Sequence, residues 1–90
     1  MAVLLVTYDL DKPGKDYKDV IKTIKSHTGW ARLSESCYAI VTSKSPQQIF
    51  DQLKPYLDDN DNLYVVTLTK PFAGYGPKDV NDWLESNLPG

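Results

Sequence analysis

The stretch Trp30-Ala31-Arg32-Leu33-Ser34-Glu35-Ser36-Cys37-Tyr38-Ala39-Ile40-Val41-Thr42 decides the fold. Its two halves are separated by the turn-prone Ser34-Glu35-Ser36, which predicts two short strands, Trp30 to Glu35 and Cys37 to Thr42, joined as a hairpin. Side chains alternate along a strand, so Trp30, Arg32 and Ser34 point one way and Ala31 and Leu33 the other. The second strand is the more apolar of the two and takes Cys37 as a packing residue rather than a reactive one.

A helix is expected on either side of this hairpin. Before it, Tyr17, Val20, Ile21 and Ile24 recur at helical spacing, Asp16 is placed to cap the first turn, and Thr28-Gly29 closes the segment. Lys15, Lys18, Lys22 and Lys25 share the opposite face, which reads as solvated surface because Asp16 and Asp19 lie among them. After the hairpin, Ser45-Pro46-Gln47-Gln48 has a serine cap, proline at the first position and a glutamine three residues on; Ile49, Phe50, Leu53 and Leu57 form the apolar stripe. Pro55 falls in the last turn, and Asp58-Asp59-Asn60-Asp61 is a polar turn without the spacing of a calcium loop.

Outermost in this arrangement are two further strands. Met1 to Tyr8 is a continuous apolar run suited to a central strand covered on both faces, and it ends at Asp9 with a turn through Pro13-Gly14. Asn62 to Thr69 is the other. The order βαββαβ predicts a single α+β domain of ferredoxin-like type over residues 1–90, an antiparallel sheet with two helices on one face. The repeat occupies 1–70. The remainder, 71–90, is a loop from Pro71 to Pro77 and an appended helix from Lys78 to Leu88. Its apolar residues Val80, Trp83 and Leu84 are expected to cover a sheet face or a neighbouring subunit.

Ninety residues with a net charge of −2 make one small domain without the basic excess that grips duplex DNA. A chain this short is helped by self-association, so a homo-oligomer, at least a dimer, is expected. The charge is uneven: residues 1–45 carry seven Lys or Arg against five acids, residues 46–90 three against seven, which directs an anion to the first half. No apolar run reaches the ~20 residues of a membrane span and no charged leader precedes the first strand, so the chain reads as complete and cytoplasmic. There is no CxxC, no glycine-rich phosphate loop and one histidine, His27, expected as a partly exposed imidazole at a helix C-terminus.

Two constellations carry chemistry. Asp9, directly after Tyr8 at the end of the first strand, is placed where a twofold partner could bring a second copy close; two such carboxylates could hold Mg²⁺, whereas a lone Asp9 simply opens a turn. The second is aromatic and cationic: Tyr8, Tyr17, Trp30, Arg32, Lys70, Phe72 and Tyr75. Stacking on aromatic or guanidinium planes holds bases, and few cations suffice for the expected partner, a small nucleotide or a short single-stranded nucleic acid. Tyr17 and Trp30 read first as core residues, while Phe72 and Tyr75 lie in a loop, where ligand contacts concentrate.

The opening Leu4-Leu5-Val6-Thr7-Tyr8-Asp9-Leu10 with Pro13-Gly14, the hairpin from Trp30 to Ser36, the segment Leu53 to Asn62 and the strand Leu63 to Thr69 resemble the small proteins labelled SinR-like, which are similar in turn to the CRISPR-associated Cas-two family. The second likeness is specific mainly at Tyr8-Asp9 and in the fold order. It implies a ferredoxin-like homodimer with Asp9 at the position of a metal-binding aspartate, and phosphodiester hydrolysis. The acidic balance departs from the DNA-binding members, and no helix-turn-helix supports a transcription regulator.

Three functions follow as expectations. The first is non-catalytic binding of a small nucleotide by a homo-oligomer, needing no cofactor, for example sequestration of a cyclic dinucleotide signal as in phage counter-defence. The second is a Mg²⁺-dependent ribonuclease or phosphodiesterase centred on Asp9. The third is a protein-interaction or antitoxin-like module using the Trp83 tail.

Overall fold

In the computed structural model, which describes residues 1–10 and 17–90, the chain forms β1 (Ala2–Asp9), α1 (Lys18–Lys25), β2 (Gly29–Ser34), β3 (Cys37–Thr42), α2 (Pro46–Leu53) with a 3-10 turn at Lys54–Tyr56, β4 (Asn62–Leu68) and α3 (Lys78–Asn87). The four strands make one antiparallel sheet in the order β2-β3-β1-β4. This is the ferredoxin-like βαββαβ topology with an appended C-terminal helix, as the hydrophobic pattern predicts. The Pro13-Gly14 turn, the Asp16 cap and Lys15 of the lysine face lie outside the described residues.

Each face of the sheet has its own core. On one, Leu4, Val6 and Tyr8 of β1, Tyr38 and Ile40 of β3 and Leu63 of β4 pack against Val20 and Ile24 of α1 and Ile49 and Leu53 of α2. On the other, Val3 and Ala39 are covered by Leu84 and Leu88, with Val80, Trp83 and Phe72 alongside. Helix α3 therefore covers its own sheet, and the run Val3-Leu4 is buried on both sides as expected of a central strand. The cover is incomplete. Beyond Val3 the same face shows Leu5 and Thr7 half-buried, Val66 at 48% exposure and Tyr64 at 66%.

Local signals account for the helix ends. The Ser45 side chain accepts from Gln48 N at 3.2 Å while Gln48 Oε1 accepts from Ser45 N at 2.8 Å, a reciprocal pair that satisfies two amides the first turn leaves without helical partners. Helix α3 is held at its far end: Lys70 N donates to Pro89 O at 2.7 Å and Lys70 Nζ pairs with Glu85 at 3.2 Å. Past α1, His27 is the partly exposed residue expected at the helix C-terminus, but one side of its ring is shielded. Its Nε2 is buried with no hydrogen-bond partner, and burial, helped by the nearby Lys44 charge, pushes its pKa below the ordinary value. Cys37 is half-buried, and burial raises its thiol pKa against the opposing effect of hydrogen bonds with Thr7 and Ser34.

Candidate functional site

The hairpin positions the first group of candidate side chains through a β-bulge. Near the turn Ser34 pairs with Cys37, but one step on Arg32 pairs with Tyr38 and Trp30 with Ile40, so the register shifts between Arg32 and Ser34. Without the bulge Arg32 would lie opposite Ala39 and point to the α3 face, because a shift of one residue exchanges the faces of a strand. With it, Trp30 and Arg32 share the face of Tyr38.

Three of the sequence candidates, Tyr8, Trp30 and Arg32, meet there around Tyr38. The Trp30 and Tyr38 rings are 6.0 Å apart and inclined at 57°, and Lys25 Nζ stands 4.7 Å from the Trp30 ring centre, within cation–π range. Trp30 is 40% exposed, so it is only partly the core residue its apolar character suggests. Arg32 is exposed and donates to Glu35 O at 3.3 Å. Tyr8 is buried. Burial raises its pKa, the neighbouring Tyr38 adds to the rise and Arg32 opposes it, so the phenol stays protonated. Tyr38 and Lys25 are absent from the sequence candidates, since only the bulged register reveals Tyr38 as the partner of Arg32.

Because β2 is an edge strand, these residues also border open space. A groove of about 490 Å³ runs between the β2 edge and the start of α3, lined by Trp30, Ala31, Arg32, Pro77, Asp79, Val80 and Trp83. It has two indoles, one guanidinium and one carboxylate. The indole of Trp83 lies near Gly29 of β2, where a Cβ would stand 3.9 Å from Trp83 Cζ2, an ordinary contact distance. A smaller hollow of about 210 Å³, which shares Pro77 and Val80 with the groove, is bordered by Phe72 and Tyr75. Tyr75 is fully exposed, whereas Phe72 is half-buried against the α3 core, so packing accounts for the residue whose loop position suggested a ligand contact.

The remaining candidates lie elsewhere. Lys70 does not line the groove and is engaged by Glu85. Tyr17 packs at the margin of the main core, and its hydroxyl donates to Asp61 Oδ1 at 3.4 Å, linking the start of α1 to the turn before β4. Asp9 is exposed, pairs with Asn62 in register, and borders a hollow of about 160 Å³ with Thr7, Tyr8, Asn62 and Tyr64. Among the described residues no three His, Cys, Asp or Glu side chains gather as a metal site. The acidic turn closes on itself through Asp61 N to Asp58 O at 3.0 Å and Asp58 N to Asp61 Oδ2 at 2.8 Å. No helix among the described residues is long and apolar enough to cross a membrane.

Comparison with models of known families, with curated proteins and with solved structures gives no match.

Proposed function

We propose that the protein, as a homo-oligomer, binds a small anionic nucleotide without transforming it, and that the groove between β2 and α3 receives it. The observation that carries this reading is the joint lining of one groove by Trp30, Trp83 and Arg32. Its volume of about 490 Å³ falls in the range of ~300–1,000 Å³ typical of small-ligand sites. Indole planes stack on bases irrespective of sequence, and a guanidinium takes a phosphate through two parallel hydrogen bonds. Lys25 adds a second positive charge beside Trp30, and Asp79 at the far wall suits a base amino group. A cyclic dinucleotide, two bases with two phosphodiesters, has the matching composition of planes and charges. The chemistry needs no metal.

The test is calorimetric titration with a panel of cyclic and linear nucleotides, followed by chromatography of the recovered ligand. Trp30→Ala is expected to lose ~1–3 kcal/mol of binding, the worth of one stacked base. Arg32→Ala is expected to lose ~1.5–3 kcal/mol, the worth of a charge-assisted hydrogen bond. Intact ligand should be recovered in stoichiometric amount. Mg²⁺-dependent fragments that vanish in Asp9→Asn would instead establish the phosphodiesterase to which the likeness at Tyr8-Asp9 points, and absence of any nucleotide binding would leave the protein-interaction reading.

A further inference from the structure

The two edges of the sheet are built differently. The β2 edge carries Arg32, is interrupted by a bulge and is flanked by α3. The β4 edge, Asn62-Leu63-Tyr64-Val65-Val66-Thr67-Leu68, has no charge, no proline and no register shift against β1 over seven consecutive pairs. Exposed edges are ordinarily protected from pairing by lysines, prolines or bulges, and β4 has none of these. It also carries two of the exposed large apolar side chains, Tyr64 and Val66, both on the sheet face that α3 leaves uncovered.

We infer that β4 pairs antiparallel with β4 of a second copy about a twofold axis at Val65, giving a continuous eight-stranded sheet. This deepens the homo-oligomer part of the function proposed above and does not depend on a nucleotide. A twofold axis through an edge strand makes the pairing isologous and therefore antiparallel. Centred on Val65, the register sets Tyr64 of each copy opposite Val66 of the other, on the same face. The exposed apolar pair is thus self-complementary, and aromatic–β-branched pairs of this kind are among the favourable cross-strand contacts. The ends agree in charge. Asp59 and Asp61 precede the strand and Lys70 follows it, and the same register lays Lys70 of one copy beside Asn60 of the other, between the two aspartates. Registers displaced by two residues either way lose the Tyr64–Val66 match.

Sedimentation equilibrium of the intact chain, without nucleotide, tests the inference. The expected mass is twice 10.2 kDa. Val66→Lys places two lysines at diagonal positions ~7–8 Å apart along the backbone across the axis, replacing the apolar pair with like charges, and is expected to weaken association about tenfold or more. Tyr64→Lys, at a still more exposed position, should do the same and serves if Val66→Lys does not fold. In a Cys37→Ser background, Val65→Cys should form an oxidised dimer readily, and Asn62→Cys should not. A monomeric wild type at high micromolar concentration, or a dimer indifferent to both lysines, overturns the inference. Nucleotide titration of the monomeric variant separates the two proposals, because its groove at the opposite edge remains complete.

Discussion

His27 and Ser45 show how single side chains set conditions for this fold. The half-buried His27 imidazole, whose Nε2 is shielded from solvent, resists protonation in the folded chain, while the unfolded chain binds a proton near pH 6.5. The unfolded state therefore takes up more protons as pH falls. The contribution of His27 is complete above about pH 6.5, declines as the solution is acidified through the lower folded-state pKa, and then levels off. Chemical denaturation at a series of pH values should show the midpoint falling from neutral towards pH 5, and His27→Gln should flatten that slope. Ser45 acts through its capping pair: Ser45→Ala removes one partner of the reciprocal bonds and should cost about 1 kcal/mol in a urea titration, with the folded spectrum unchanged.

At the scale of elements, the strands and helices were legible because each is marked at both ends. The Ser45-Pro46-Gln48 start, the Tyr17-Val20-Ile24 stripe and the apolar run of β1 all occupy the predicted places. The relation between elements was less legible. Alternation along β2 correctly separates Trp30 and Arg32 from Ala31 and Leu33, but which side faces α1 depends on a single bulged residue that neither periodicity nor composition records. For the same reason Tyr38 was hidden as a site residue although its strand was plain. Phe72, expected from its loop position as a ligand contact, also packs beside the α3 core, because a loop residue can pack when the next helix folds back over the sheet. That packing has a testable weight. Leu84 is 7% exposed on the face of Val3 and Ala39, so Leu84→Ala should destabilise by ~2–4 kcal/mol in denaturant titrations. Asp82→Ala, which breaks only the exposed Lys78–Asp82 pair, should change stability by less than ~0.5 kcal/mol.

For the whole molecule, the groove and the β4 edge lie at opposite margins of one sheet, which allows nucleotide binding and self-association to be varied independently. A ligand that occupies the groove binds the folded state alone, so it should raise the unfolding free energy with the logarithm of its concentration, by about 2.7 kcal/mol at one hundred times its Kd, and the midpoint with it. The Arg32→Ala chain should show a smaller rise at equal concentration, and Val66→Lys an undiminished one.

The bond from Lys70 N to Pro89 O fixes where the chain enters and leaves. Val3 pairs with Leu68, two residues before that bond, so Ala2 and Pro89 lie at one end of the sheet, while Asp9, Asn62 and the Ser34–Cys37 turn lie at the other. A unit whose ends depart from the same pole can be spliced into a surface loop of a host protein without stretching either partner, and it can be recircularised and reopened elsewhere. Joining Gly90 to Met1 through a short glycine-serine bridge and cutting between Glu35 and Ser36 would retain all four strands and α3 while moving the new termini to the pole that holds Asp9.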